Sequence, residues 1–434
     1  MMTGGRRWAI ALLASGFAAA RLAAQQSQVQ MTLSDAVRHA LEVQPAVVQA
    51  IGAQRNAGAA QRAATGAFLP SLTLGATSNG ASASRFNSAT GQILNVPAST
   101  SYTGSLALTL DLFDGVRRFA NKTAAAATQS AANAGLVNQR YQVTSATAQL
   151  FFAALANEDL VRVAQAQVDR AKEELQISLN KFQAGSATRS DTLTSTVDFG
   201  NAQLALLQAQ ANLATAQANL GRQVGLDQPV RAVPDTVFPA LPDSSGLRAE
   251  ALSSSPQVQQ AEATARAARA MVTVAHGEYW PTLSLAYSNG YSGLDAPWSD
   301  TGSYVNNWTL RFSVSWTLFN GFSREQDQVA AAVQRDVAEA EASDARRQIN
   351  ALFTEQLAAL VTAHAQIDIA AADVIAGQEA LRVEQERYRL GAATLLDVLT
   401  AEANLTQAEV TQVQARYNYL VARSQLEAVV GRTL

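Results

Sequence analysis

The hydrophobic pattern changes period twice, in the same order, in each half of the chain. Residues 33–66 and 247–277 are rich in alanine and favour helix, and Thr32 with Asp35 has the form of a capping box using Asp in place of Glu. After Pro70 the period drops to two, with Leu72, Leu74 and Ala76 alternating with Ser71, Thr73 and Gly75. Residues 105–113 do the same, setting Leu106, Leu108, Leu110 and Leu112 against Ser105, Ala107, Thr109 and Asp111. In the second half Trp308, Leu310, Phe312, Val314, Trp316 and Leu318 alternate with Thr309, Arg311, Ser313, Ser315 and Thr317. The pattern predicts strands near 71–80, 102–113, 282–291 and 305–318. One apolar face and one face bearing Arg and hydroxyls suit a membrane barrel, lipid outside and water inside; a half-buried soluble sheet is the competing reading. On the barrel reading Trp308, Leu310, Phe312, Val314 and Trp316 face lipid, and the two tryptophans stand ~26 Å apart, about the spacing of two interfacial girdles.

Beyond each second strand the helical period returns. No proline occurs between 98 and 228 or after 297. The runs 115–182 and 321–388 therefore predict helices ~100 Å long at ~1.5 Å per residue. Each run ends at a glycine, Gly185 or Gly391, suited to a left-handed helix stop. A second helix returns from Asp191 or Asp397, with Thr188, Ser190 or Thr394 available as caps. The returning helices carry Ala, Gln, Asn, Thr and Ser where an amphipathic bundle would carry more Leu and charge. That composition predicts a wall of closely packed helices around water.

The two halves are copies. Pro45 recurs as Pro256, and Phe68-Leu69-Pro70-Ser71-Leu72 as Tyr279-Trp280-Pro281-Thr282-Leu283, both at an offset of 211 residues. From there the offset is 206: Leu112-Phe113-Asp114-Gly115 matches Leu318-Phe319-Asn320-Gly321, Asp191 matches Asp397, and Val224-Gly225 matches Val430-Gly431. The expected organisation is a first repeat over 25–226 (hairpin 71–113, helix pair 115–224), a Pro-rich linker over 227–246, and a second repeat over 247–434 (hairpin 282–318, helix pair 321–430).

Composition narrows the chemistry. Of 434 residues 48% are hydrophobic and only 15% charged, against a usual charged share of about 25%. The absence of cysteine removes disulfides, thiolate catalysis, Cys-based zinc sites and an N-terminal lipidated Cys. A net charge of −3 supplies no basic face for nucleic acid. His39, His276 and His364 lie far apart and make no ligand spacing. Ser and Asp are plentiful but no nucleophile elbow is present, so no catalytic, cofactor or metal residue is expected. Glu173-Glu174 and Glu384/Glu386 read as solvated helix charges.

Arg6 and Arg7, the apolar run Trp8 to Ala20 and the small residues Leu22-Ala23-Ala24 read as a secretory signal peptide over 1–24. No later stretch has ~18 consecutive apolar residues, so any membrane span is expected to be β. Spanning barrels begin at about eight strands. Four per chain cannot close one, so strands must be pooled: a dimer would give eight, a trimer twelve.

With the duplication, the paired F-L-P-S-L / Y-W-P-T-L and L-F-D-G / L-F-N-G segments, the tips K-F-Q-A-G-S-A-T-R-S-D and R-Y-R-L-G-A-A-T-L-L-D-V-L, and the final A-R-Y-N-Y-L-V-A-R-S-Q-L-E-A-V-V-G, the chain resembles the TolC-type outer-membrane efflux family over 32–431. The resemblance implies a mainly α fold with a membrane β-barrel part. It implies a homotrimer in the outer membrane of a Gram-negative bacterium, with a twelve-stranded barrel and a twelve-helix α-barrel in the periplasm. It also implies a periplasmic adaptor on the tip turns at Gly185 and Gly391, and an inner-membrane pump that chooses the cargo for efflux or type I secretion.

By the same resemblance Tyr388, Asp397, Asp191 and Phe182 belong to the periplasmic entrance. The family's basic latch falls at Ala393 here and its second entrance acid at Thr400, leaving one symmetric carboxylate ring, Asp397. Asp191 and Asp397 read equally well as charges favourable to a helix N-terminus. Arg189, Arg387 and Arg389 stand near the tip as replacement partners. A trimeric coiled-coil surface fibre with a barrel anchor is the other class considered. The duplicated strand pairs and the lack of sustained large a/d aliphatics count against it.

Overall fold

The computed structural model describes residues 29–434 except 90, 235–237, 244–245 and 300–302. The expected signal peptide lies outside the described residues, as do parts of the linker. In chain order the elements are β1 (Val29–Met31), α1 (Leu33–Val43), α2 (Pro45–Gly66), β2 (Ser71–Asn87), β3 (Gln92–Phe113), α3 (Arg117–Gln183) and α4 (Arg189–Val224). There follow β4 (Val230–Ala232), α5 (Leu247–Ser254), α6 (Pro256–His276), β5 (Thr282–Gly293), β6 (Val305–Ser315), α7 (Ser323–Arg389) and α8 (Leu395–Val430). α3 and α7 are 67 residues each, α4 and α8 are 36 each.

The chain forms two units. Among the described residues, one gathers 29–49, Val137–Ser255 and Ile349–Leu434; the other gathers Ala50–Leu136 and Pro256–Gln348. In the first, β1 pairs in parallel with β4 inside the stretch expected to be only a linker. Their Met31 and Val230 join Phe151, Leu155, Leu220 and Tyr417 in a core. A second core gathers Val374, Leu381, Tyr388, Leu395, Val398 and Leu405 from α7 and α8.

In the other unit β2-β3-β5-β6 form one antiparallel sheet in that order. The register carries one apolar row across all four strands: Leu72 opposite Leu108, Leu108 opposite Tyr287, Tyr287 opposite Leu310. The neighbouring row, Thr73, Ala107, Ser288 and Thr309, points to the other face and is small or polar.

Several boundaries depart from the sequence pattern. The helix expected over 33–66 breaks at Gln44 and that over 247–277 at Ser255. Both residues precede a proline, whose ring drives the preceding residue out of the helical region; ψ is 125° and 124°. β2 and β3 extend well past the alternating stretch: beyond Gly80 the sequence sets Phe86, Ile93, Leu94 and Val96 among Ala, Ser and Asn without one consistently apolar face. β6 stops at Ser315, so Trp316 lies off the strand and its indole N–H donates to the Tyr279 carbonyl at 3.1 Å. Of the row expected to face lipid, Trp308, Leu310, Phe312 and Val314 lie on the strand and are exposed, and the two-tryptophan girdle spacing does not hold along one strand. By length and composition α7 is apolar enough to cross a membrane, with a mean hydropathy of 1.3 over an 18-residue window.

The doubled segments at the ends of the hairpins turn out to be one device used twice. The Asp114 carboxylate accepts the Arg118 backbone N–H at 2.9 Å, and the Asn320 side-chain oxygen accepts that of Arg324 at 3.4 Å, starting α3 and α7. The same arginines turn back onto the strand ends: Arg118 donates to the Leu112 carbonyl, Arg324 to those of Thr317 and Leu318. Their guanidinium groups lie over the Phe68 and Tyr279 rings, 5.2 and 4.6 Å from the centroids.

Candidate functional site

Both long helices of the first unit end in the same turn. After α3 the Gly185 N–H donates to Phe182 and the Ser186 N–H to Lys181; after α7 the Gly391 N–H donates to Tyr388 and the Ala392 N–H to Arg387. Gly185 and Gly391 sit at φ 74° and 77°, where a side chain would be strained, which is why each helix stops at glycine. Thr188 and Thr394 then start α4 and α8 with full capping boxes, while Ser190 is already inside α4. The carboxylates of Asp191 and Asp397 accept the backbone N–H of Thr188 and Thr394, each at 2.8 Å. Asp397 also accepts the Thr394 hydroxyl at 2.8 Å, and these bonds hold its carboxyl below the usual carboxylate range. Thr400 is exposed and donates to the Leu396 carbonyl one turn back.

The two turns are tied together by a residue the sequence reading passed over. The Lys181 ammonium donates to the Tyr388 carbonyl at 2.5 Å and lies 3.7 Å from the centroid of the Tyr388 ring. Tyr388 is buried, whereas Phe182 is half exposed. Arg387 pairs with Glu384 and Arg389 with Glu386 and Glu173, all within the chain. Lys181 directly precedes Phe182 in the tip segment, so its place at the turn was readable, though not its partner.

A second departure lies further along the same helices. Glu173 is exposed as expected, but Glu174 is only 2% exposed, with neither carboxylate oxygen hydrogen-bonded. On α8, Glu402 is 5% exposed. Arg170 of α3 reaches toward it, at 3.7 Å, but commits its terminal nitrogens to Glu409 at 3.0 and 3.3 Å and to Thr406 at 3.1 Å. Burial, with Asp198 and Glu174 nearby, pushes the Glu402 carboxyl up to about 7 against the pull of Arg170. Burial also raises Glu174 and Asp198. Reading Glu174 as a solvated charge failed because charge spacing along one helix does not reveal which face a neighbour covers. Among the described residues no group of His, Cys, Asp and Glu is placed to hold a metal ion.

Comparison with known proteins places this geometry. The profile of the outer membrane efflux protein family matches residues 36–226 and 247–432. The chain is 27% identical over 351 residues to the outer membrane efflux protein BepC of Brucella suis, covering 76% of this chain and 72% of that one. It is 29% identical over 303 residues to the pyoverdine export outer membrane protein OpmQ of Pseudomonas putida, covering 65% of this chain and 60% of that one. In fold it is similar to the outer membrane channel CmeC of Campylobacter jejuni, with a TM-score of 0.79 at 19% identity, covering 92% of this chain and 85% of that one. The family is one of transport proteins of the outer membrane and not of enzymes. The chain belongs to the outer membrane efflux protein family.

Proposed function

We propose that three copies of the chain pool their strands into a twelve-stranded outer-membrane barrel, and that α3, α4, α7 and α8 of each form the wall of a twelve-helix periplasmic conduit. The observation that carries this reading is the apolar row running across all four strands, from Leu72 through Leu108 and Tyr287 to Leu310. It offers lipid a continuous face. Among the described residues neither β2 nor β6 has a second partner strand. Edges left open in lipid would strand backbone N–H and C=O groups at several kcal/mol each, so neighbouring copies must fill them. On this reading the exported chain, freed of residues 1–24, is a tandem repeat of 25–226 and 247–434 joined by 227–246. A periplasmic adaptor receives the turns at Gly185 and Gly391, and an inner-membrane pump delivers cargo. Relatives named for pyoverdine export and for cobalt-zinc-cadmium resistance fit a conduit whose cargo is chosen upstream.

At the entrance three copies of Asp397 form a ring whose field favours cations, as carboxylate rings do in cation channels. In planar bilayers the extracted protein should conduct and prefer cations. Asp397→Asn keeps an oxygen to accept the Thr394 N–H and removes the charge, so it should lower cation selectivity and weaken block by multivalent cations. Asp191→Asn should alter opening more than selectivity. Selectivity unchanged in Asp397→Asn would reduce that carboxylate to a helix cap. Because its bonds hold Asp397 below the usual carboxylate range, the selectivity should persist from neutral pH into acid and vanish only in strong acid.

A further inference from the structure

The seam where α3, α4 and α8 meet holds more negative charge than its cations can satisfy. Glu174 of α3, Asp198 of α4 and Glu402 and Glu409 of α8 share it. Arg170 is committed to Glu409 and Thr406, and the Lys181 ammonium to the Tyr388 carbonyl. Buried without a hydrogen-bond partner are both Glu174 oxygens, Oε1 of Glu402, the hydroxyls of Ser178, Ser195 and Tyr388, and Arg170 Nε, which faces Glu402 Oε1 at 3.7 Å, beyond hydrogen-bond length. A buried carboxylate without donors is costly. A proton removes that charge and with it most of the cost.

We propose that Glu402, Glu174 and Asp198 form a proton-operated latch: a proton bound in the cluster closes α4 against α3 and α8, and its release loosens that packing. The groups acting on Glu402 are Asp198 from α4, Arg170 and Glu174 from α3 and Glu409 from α8 itself; around Glu174 stand Lys181, Glu173, Asp198 and Arg389 of α7. α7 otherwise meets α8 through apolar contact, with Gly377 against Leu405. Glu402 titrates near 7, above an ordinary carboxyl, so the packing it supports is complete only below the ordinary carboxyl range and is lost as pH climbs from there through about 7. Glu402 lies ~10 Å behind the start of α8 and Asp198 ~14 Å behind the start of α4. Both are thus close behind the turns. On the channel reading given above, on which this consequence rests, the latch favours a closed entrance in mild acid and a looser one in mild alkali.

The test is hydrogen–deuterium exchange on the assembled protein about one pH unit below and above 7, corrected for the intrinsic pH dependence of exchange. Peptides over 195–202 and 398–409 should lose about tenfold in protection at the higher pH, matching the change in the protonated fraction. Glu402→Gln, close in shape and uncharged, should stay protected at both. Asp198→Asn should move the step to lower pH, since one charge that raises Glu402 is gone. No step in the native protein, a step surviving in Glu402→Gln, or an unmoved midpoint in Asp198→Asn would each overturn the latch. Single-channel conductance over the same range should rise with pH in the native protein and stay flat in Glu402→Gln. A flat native conductance beside a clear exchange step overturns the link to the entrance, and no conductance at any pH overturns the channel reading while leaving the latch intact.

Discussion

Each junction between hairpin and long helix asks two successive residues to take left-handed backbone: Gly115 with Val116, and Gly321 with Phe322. The glycines look interchangeable in the duplicated segments, but their surroundings differ. A Cβ on Gly115 would stand 2.2 Å from the Gly277 carbonyl oxygen, whereas one on Gly321 would meet nothing. Gly321→Ala should therefore cost only the left-handed penalty, ~1–2 kcal/mol. Gly115→Ala adds a backbone clash and should cost roughly 3 kcal/mol or more, read as the difference in unfolding midpoint between the two variants. At this scale the sequence disclosed part of the device. The doubled Asp114/Asn320 and Phe68/Tyr279 stood out, while Arg118 and Arg324 went unnoticed although they repeat at the same offset. A lone arginine among many carries no pattern until its carbonyl partners are known.

Among the elements, the strands were legible wherever one face is apolar and the other polar, and illegible where no face is consistently apolar, as in the far halves of β2 and β3, where Phe86, Ile93, Leu94 and Val96 stand among Ala, Ser and Asn. The helices were legible as long proline-free runs, yet the breaks at Gln44 and Ser255 required weighing what a proline does to the residue before it. The end of β6 at Ser315 is set by a tertiary bond from Trp316, which alternation cannot register. The register itself yields a sharp expectation. Val314 pairs with Leu283 on the apolar face and Ser313 with Ser284 on the other. Val314→Arg should cost ~2–4 kcal/mol if it lies near the bilayer midplane, and Ser313→Arg should be tolerated. The yield of assembled protein recovered from outer membranes distinguishes the two; equal losses would show that both faces meet the same medium.

For the molecule as a whole, the duplication was the most readable property, because its constant offset survives every local ambiguity. The buried seam of Glu174, Asp198 and Glu402 was the least readable, since it exists only where the consecutive helices α3 and α4 meet α8, which lies more than two hundred residues further along the chain. The order of assembly is open to direct weighing: native mass spectrometry of detergent-extracted protein should give three chains, and a stable single chain would remove the case for a pooled barrel. The bare edges of β2 and β6 also bear on inheritance. If three copies pool their strands as proposed, the ring closes only when every seam does, so a copy with a spoiled edge disables the intact copies it joins. Where native and edge-defective chains are made in equal amounts, only about one ring in eight would be wholly native. A proline placed in the middle of β6 should therefore act as a dominant allele, depressing export far below one half in cells that still carry the native gene.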